Sequence, residues 1–254
     1  MQYLIAILAA LSVVVCRPAL CADFVDNVKK IKTSIVGVGV YSPMGTVSHQ
    51  LSGTGFVIGD GHYVVTNHHV VTTALDKKVK SGRVVFVPKG KRAEIIPIEQ
   101  IFTDEEHDIA IVKIGKALPA VNMVAADTVI DDGEDIAITG FPIGGILGLY
   151  AATHKGIVAA YTPNIIAAQN SQQLSEQFLQ HIRNPFMVYQ LDIVAYPGNS
   201  GSPVYLAGSG KVIAVINKVF VKETKESAIT SPSGITYAVP ISHVYALAKK
   251  HNIL

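Results

Sequence analysis

The sequence predicts an all-β protein built from short antiparallel strands, which close into barrels or pack as a sandwich. From residue 33 onward, runs rich in Val, Ile, Tyr and Thr recur, and Gly, Pro, Asn or Asp residues separate them. Almost no helical pattern intervenes between these runs, which disfavours β-α-β units and a parallel sheet. The 254 residues suffice for one large or two small domains with a sizeable core. Runs of this kind predict strands at residues 35–41, 55–58, 63–66, 84–87, 109–114, 135–139, 157–160, 188–191, 212–216 and 235–239.

Two later stretches have the periodicity of a helix. In residues 171–182, Leu174, Phe178 and Ile182 recur at intervals of four, as on one face of a helix. A second helix is predicted over residues 242–252, with Ser242 as its N-cap. The apolar side of this second helix consists of Val244, Leu247 and Ala248.

The N-terminus has the pattern of a secretory signal peptide. Leu4 to Val15 is apolar or small throughout, and it is shorter than the roughly 20 residues that span a bilayer. Cleavage is predicted after Cys21 or Ala22. With cleavage after Ala22, residues 23–254 form the mature chain, exported to a bacterial periplasm or secreted, with no membrane span. Residues 1–3 carry no Lys or Arg, and a buried N-terminal helix or an uncleaved anchor therefore remains open. A lipoprotein is disfavoured because three valines precede Cys16.

The composition excludes several classes of protein. The formal net charge is +2 and only 16% of the residues are charged, and no basic face indicates a nucleic-acid partner. Both cysteines, Cys16 and Cys21, lie in the predicted signal peptide. A mature chain without them has no disulfide, thiol nucleophile or thiolate metal site. We expect neither a cofactor nor a metal.

Three motifs carry residues suited to nucleophilic catalysis. Ser200 lies between Gly198 and Gly201, which permit the tight turn that exposes a serine beside backbone donors. The motif Thr-Asn-His-His-Val-Val at residues 66–71 offers two imidazoles that could act as a general base. Asp108 stands at the start of a strongly apolar strand, where orienting an imidazole would offset the cost of burying its charge.

Each motif also has a simpler interpretation. A Gly/Asn/Ser run is usually an ordinary turn. His68, His69 and His107 could bind a metal, although their spacing matches no common metal site.

Taken in the order His, Asp, Ser, the motifs resemble the trypsin-like serine peptidases. The chain is most similar to the bacterial HtrA (DegP-like) protease domain and, more distantly, to the glutamyl endopeptidases. Gly-Phe-Pro-Ile-Gly at residues 140–144 and Gly-Ile-Thr-Tyr-Ala-Val-Pro at 234–240 extend the resemblance, which covers about residues 30–252. It implies a double antiparallel barrel, six strands each, followed by a C-terminal helix.

The resemblance also implies roles for individual residues. His69 directly precedes Val-Val, as the general base does in the family, and His68 is then a bystander. Asp108 would orient His69, and Ser200 would attack the acyl carbon. The backbone N–H groups of Gly198 and Ser200 would form the oxyanion hole. Ser202 departs from the glycine that many relatives carry there, but the glutamyl endopeptidases share the serine.

The predicted specificity pocket is apolar. By similarity of loop spacing it would be lined by Val194, Ile216, Asn217, Lys218 and Ile235. Because no acid lies at its floor, we expect cleavage after Val, Ala or another modest aliphatic residue rather than after Lys or Arg. Lys218 leaves a preference for acidic residues open.

Two functions follow from the sequence. The first is an exported serine endopeptidase acting on protein or peptide substrates, and the second is a non-catalytic, chaperone-like binder with the same fold. The predicted helix within residues 170–182 is either a surface helix or an element at the rim of the substrate site. The PDZ domain that often follows the family's protease domain is not expected. The sequence carries no signal for the natural substrate or the oligomeric state.

Overall fold

The computed structural model describes residues 19–43, 49–72, 75, 81–90, 92–143, 149–164, 185–219 and 234–254. It contains two closed antiparallel barrels of six strands each, in the orders β1-β2-β3-β6-β5-β4 and β10-β11-β12-β9-β8-β7. The predicted pair of barrels with a C-terminal helix is therefore confirmed. The first barrel consists of β1 (Ile35–Tyr41), β2 (His49–Ile58), β3 (Tyr63–Thr66), β4 (Gly82–Lys89), β5 (Arg92–Asp104) and β6 (Ile109–Ile114). The second consists of β7 (Asp135–Gly140), β8 (Ala152–Pro163), β9 (Met187–Asp192), β10 (Pro203–Leu206), β11 (Val212–Val219) and β12 (Ile235–Pro240).

Alternating apolar side chains fill each barrel, as the strand pattern predicts. Ile109, Ile111 and Phe56 are fully buried where the first barrel faces the second. Val36, Val57 and others form a separate cluster within the first barrel. The two barrels thus share one apolar interface.

Three helices complete the described fold. Helix α1 (Ala19–Lys32) precedes β1 and lies against the second barrel, where Asn27 Nδ2 donates to the carbonyl oxygens of Ala207 and Gly208 at 3.1 and 3.0 Å. Helix α2 (His68–Val71) is one short turn after β3. Helix α3 (Ile241–Lys250) follows β12. Among the described residues, no helix is both long enough and apolar enough to cross a bilayer.

The structure corrects two details of the C-terminal prediction and leaves the N-terminal one open. Helix α3 begins at Ile241, and Pro240, not Ser242, occupies the N-cap position. The predicted apolar side of this helix is buried as expected. The two cleavage positions that the sequence predicts fall in the first turn of α1, whereas the apolar run at residues 4–15 and the predicted helix at 171–182 lie outside the described residues.

Candidate active site

His69 lies at the edge of the first barrel, where strand β3 ends and helix α2 begins two residues later. Strand β3 ends at Thr66, Asn67 follows in extended conformation, and α2 starts at His68. Val70 and Val71 of the same turn are buried, which anchors the helix and leaves the imidazole of His69 at the surface. The His69 side chain is 45% exposed.

Asp108 binds His69 through both of its carboxylate oxygens. Oδ2 lies 2.7 Å from His69 Nδ1, and Oδ1 accepts the backbone N–H of His69 at 2.9 Å. The Asp108 side chain is only 17% exposed. The ring and its backbone are thus held by one carboxylate, which fixes Nδ1 as the protonated ring nitrogen and leaves Nε2 free to accept a proton.

The backbone of Asp108 is also held in an unusual conformation. Its φ is 54°, in the left-handed region that Asp and Asn tolerate better than most residues. Its carbonyl oxygen accepts both Asn67 Nδ2, at 3.0 Å, and the backbone N–H of His68, at 3.2 Å. Asn67, which is fully buried, uses its side chain for this bond instead of capping α2. Sequence reasoning missed Asn67, although it stands beside the histidine pair.

Ser200 lies on the tight turn before β10, which we call the serine turn (residues 196–202). Gly198 and Gly201 have φ values of 101° and 83°, which confirms that both positions need glycine's freedom. The turn is closed by hydrogen bonds from the N–H groups of Asn199 to Tyr196 O (3.0 Å) and of Gly201 to Ile216 O (2.9 Å). The Ser200 hydroxyl donates to Asn217 O at 3.5 Å, a long hydrogen bond.

Two N–H groups of this turn are available to a ligand. Among the described residues, the N–H groups of Gly198 and Ser200 have no intramolecular acceptor. The preceding carbonyl, that of Pro197, accepts the N–H of Ile143 at 2.6 Å, which fixes the peptide plane that carries the Gly198 N–H. Two neighbouring free N–H groups beside a serine hydroxyl are suited to binding a negatively charged oxygen.

Gly53 of β2 brings the histidine helix and the serine turn together. A Cβ atom at Gly53 would lie 2.7 Å from Val70 Cγ2 and 2.9 Å from Ser200 O. The turn of His69 and the turn of Ser200 therefore approach the same glycine from the two barrels. Thr54, the next residue, was also missed by sequence reasoning, and it forms hydrogen bonds to both Gly198 and Ser200.

The remaining histidines of the motifs lie outside this arrangement. His68 contributes its backbone N–H, and its Nδ1 is buried without a partner among the described residues. His107 pairs with Asp104, with 2.7 Å between Nδ1 and Oδ2, and stacks on His243 of α3 with 3.8 Å between ring centroids. Burial and the neighbouring His107 lower the pKa of His243 to about 4, while Asp104 opposes the shift. No group of three potential metal ligands occurs in the described part of the chain.

The residues predicted to line the specificity pocket differ in exposure. Val194 and Asn217 are half-buried, Ile235 is exposed, and Ile216 is buried in the core with its carbonyl bound to the serine turn. The register of β11 and β12 shifts between Ile216 and Lys218, so that Asn217 lies in a bulge beside Ser200. The side chain of Lys218 is outside the described structure.

Ser202 packs against Gly140 of β7. It is fully buried, and a Cβ atom at Gly140 would lie 2.0 Å from its Oγ. The serine is therefore accommodated because its neighbour is glycine. Its position does not disturb the turn, since its N–H donates to Asn199 O at 2.9 Å.

The fold and these residues define a class of protein, and a family model identifies it. The model of the trypsin-like peptidase domain matches residues 53–215, which is more than half of the chain. The chain belongs to this family. The match includes His69, Asp108 and Ser200.

Individual relatives show which members of the family this chain is similar to. A protein of Ectopseudomonas mendocina, "Probable periplasmic serine endoprotease DegP-like", is 28% identical over 193 residues, which are 76% of this chain and 33% of that protein. "Protease Do-like 1, chloroplastic" of Arabidopsis thaliana is 26% identical over 200 residues, 77% of this chain and 38% of that protein. The match thus spans about a third of the length of these relatives.

Solved structures show the same fold. "HtrA-type protease AlgW with tripeptide" has a TM-score of 0.63 at 22% identity. The match covers 91% of this chain and 63% of the AlgW chain. "Crystal structure of Deg5" has a TM-score of 0.59 at 23% identity and covers 89% of this chain and 91% of its own.

Proposed function

We propose that the protein is an exported serine endopeptidase that hydrolyses peptide bonds through an acyl-enzyme. The observation that carries this proposal is that the carboxylate of Asp108 forms hydrogen bonds with both the ring and the backbone N–H of His69. These two bonds fix the imidazole tautomer that is protonated on Nδ1, which a general base needs. Family membership and the free N–H groups of the serine turn support the same chemistry.

The first half of the reaction forms an ester. The hydroxyl of Ser200 leaves Asn217 O by rotating about χ1, and its oxygen attacks the carbonyl carbon of the substrate while His69 Nε2 takes its proton. Asp108 stays ionised and stabilises the resulting imidazolium. The N–H groups of Gly198 and Ser200 donate to the tetrahedral oxyanion. Collapse of this intermediate breaks the C–N bond, and His69 returns the proton to the leaving amine.

The second half removes the acyl group. A water molecule gives a proton to His69 Nε2 and attacks the ester carbonyl, and the same two N–H groups stabilise the second oxyanion. When the C–O bond to Ser200 breaks, its oxygen recovers the proton from His69. Each cycle consumes one water molecule and restores the enzyme.

The substrate preference is proposed to be aliphatic. Val194, which is half-buried, and the exposed side chain of Ile235 offer apolar surface near the serine turn. Cleavage of a peptide library tests this preference. Strong cleavage after Val or Ala is expected, whereas cleavage confined to bonds after Arg or Glu would contradict it.

Active-site labelling tests the proposed activity and offers a matched control in the adjacent histidines. The purified protein should react with a fluorophosphonate probe and hydrolyse a peptide, and Ser200→Ala and His69→Ala should abolish both. His68→Ala removes an equivalent side chain one residue away and should keep most of the activity. Absence of labelling in correctly folded protein would favour the non-catalytic binder, and loss of activity in His68→Ala alone would reverse the assignment of the base.

A further inference from the structure

Thr54 joins the first barrel to the serine turn of the second through two hydrogen bonds. Its backbone N–H donates to Ser200 O at 2.8 Å, and its hydroxyl donates to Gly198 O at 2.7 Å. Thr54 belongs to β2, 144 residues before Gly198 in the sequence. A single residue of one barrel therefore holds two carbonyl groups of the turn on the other.

These two carbonyls belong to the residues whose N–H groups are free. The N–H groups of Gly198 and Ser200 have no acceptor among the described residues, and Thr54 binds the C=O of each. Fixing the C=O of Gly198 matters most, because glycine at φ 101° has no side chain to restrict rotation. Without that bond, the peptide group between Gly198 and Asn199 loses a restraint, and rotation about the Gly198 backbone is limited mainly from the Pro197 side.

The hydroxyl of Thr54 is itself fixed by a second partner. Its Oγ1 accepts the N–H of Phe141 at 3.0 Å while donating to Gly198 O. Thr54 is fully buried, and water cannot easily replace either bond. On its other side, Thr66 Oγ1 donates to Thr54 O at 2.7 Å and holds the backbone in place. The hydroxyl has one donor and one acceptor contact, both with good geometry.

We propose that the Thr54 hydroxyl is a positioning group for the oxyanion hole, acting through the carbonyl of Gly198. This inference rests on the proposed peptidase function, which it deepens by adding a residue from the opposite barrel. Among the described residues, Thr54 forms no hydrogen bond to the side chains of His69, Asp108 or Ser200. Its effect on the reaction is indirect. The bond holds the peptide group between Gly198 and Asn199 and so limits rotation about the Gly198 backbone, whose own N–H, held on the other side by Pro197 O and Ile143, faces the oxyanion when one forms.

The test compares three substitutions. Thr54→Val keeps the shape and removes the hydroxyl, and Thr54→Ser keeps the hydroxyl. Thr139→Val is the matched control, because Thr139 is equally buried and its hydroxyl also has two partners, Thr153 Oγ1 and Tyr205 OH, both at 2.9 Å. Thermal unfolding of all three shows that each variant is folded at the assay temperature.

Kinetics and hydrogen exchange give separate readouts. For Thr54→Val we expect kcat to fall about ten- to a hundredfold with KM changed less than about threefold, since the lost stabilisation belongs to the transition state. The inhibition constant of a peptide aldehyde, which forms a tetrahedral oxyanion, should rise in parallel. Thr54→Ser should restore kcat, and Thr139→Val should leave it near the parent value. Backbone amide exchange across residues 196–203 should accelerate in Thr54→Val alone.

Each result of these measurements either supports or contradicts the positioning role of Thr54. Unchanged kcat and unchanged exchange in a folded Thr54→Val variant would overturn the inference, as would an equal loss of kcat in Thr139→Val. If the parent protein neither labels nor hydrolyses peptides, the proposed function fails. In that case the exchange measurement still decides whether Thr54 orders the turn, and unaltered exchange would refute its positioning role independently.

Discussion

Replacing Asp108 with Asn gives a sharp test of the site, because the structure dictates which way the new amide must face. The backbone N–H of His69 lies 2.9 Å from Oδ1 and requires an acceptor there. The amide oxygen of Asn therefore takes the place of Oδ1, and the NH2 group takes the place of Oδ2, 2.7 Å from His69 Nδ1. An NH2 group in that place makes Nδ1 the acceptor and moves the ring proton to Nε2. His69 can then no longer accept the proton of Ser200.

The wrong tautomer costs about 10⁴-fold in turnover in a triad of this kind, which corresponds to roughly 5 kcal/mol of transition-state stabilisation. We expect Asp108→Asn to lower kcat by about this factor with little change in KM. The fold should be nearly unaffected, because Asn tolerates the φ of 54° at this position about as well as Asp does. Hydrolysis of a fluorogenic peptide and urea unfolding measure the two effects.

The chain provides a matched control four residues away. Asp104 binds His107 in the same manner, with Oδ2 at 2.7 Å from the ring Nδ1 and Oδ1 at 3.2 Å from the backbone N–H. Asp104→Asn should therefore repeat the chemical change without altering kcat. Retention of activity within about tenfold in Asp108→Asn, or an equal loss in Asp104→Asn, would refute the reasoning.

Two further predictions concern stability. Gly201→Ala combines a left-handed φ of 83° with a Cβ that would lie 2.1 Å from Thr54 O, a backbone atom, and it should lower the free energy of unfolding by about 3 kcal/mol or more. Gly208→Ala, which meets no atom within 4 Å, should be nearly neutral in the same urea titration. His243 should make the protein less stable in acid, because its pKa is about 4 when folded and 6.5 ordinarily. As the pH falls from about 6.5 to about 4, the unfolded chain binds a proton that the folded chain does not, and the free energy of unfolding decreases. His243→Phe keeps a ring against His107 and should flatten this part of the pH profile, whereas parallel curves for both proteins would contradict the assignment.

The sequence predicted most strands because their apolar residues alternate or run together between turn residues. It missed β5 (Arg92–Asp104), whose residues are largely exposed or half-buried and include charged residues and a proline. Such a strand lacks the alternation on which the prediction depends. It also missed β10 (Pro203–Leu206), since a strand that begins with proline directly after the serine turn looks like a continuation of that turn.

The three candidate site residues, His69, Asp108 and Ser200, could be proposed from motifs, but their hydrogen bonds could not. His107 and Asp108 are adjacent in the sequence, and nothing in it shows that each belongs to a different His–Asp pair. The left-handed conformation of Asp108 separates them, because it turns the carboxylate toward His69. Thr54 could not be recognised for another reason: a threonine between two glycines is typical of an ordinary strand, and Gly198 and Ser200, which it binds, are more than 140 residues away.

The arrangement of the hydrogen bonds explains why the two barrels contribute differently to the site. Asp108 uses its carbonyl for Asn67 and His68 and its carboxylate for His69, and the whole unit lies within the first barrel. The serine turn, in contrast, depends on Thr54 of the opposite barrel. The geometry of the proposed general base, His69, is therefore a local property of one barrel. The geometry of the proposed oxyanion donors depends also on how the two barrels pack, since Thr54 of the first barrel holds the turn of the second.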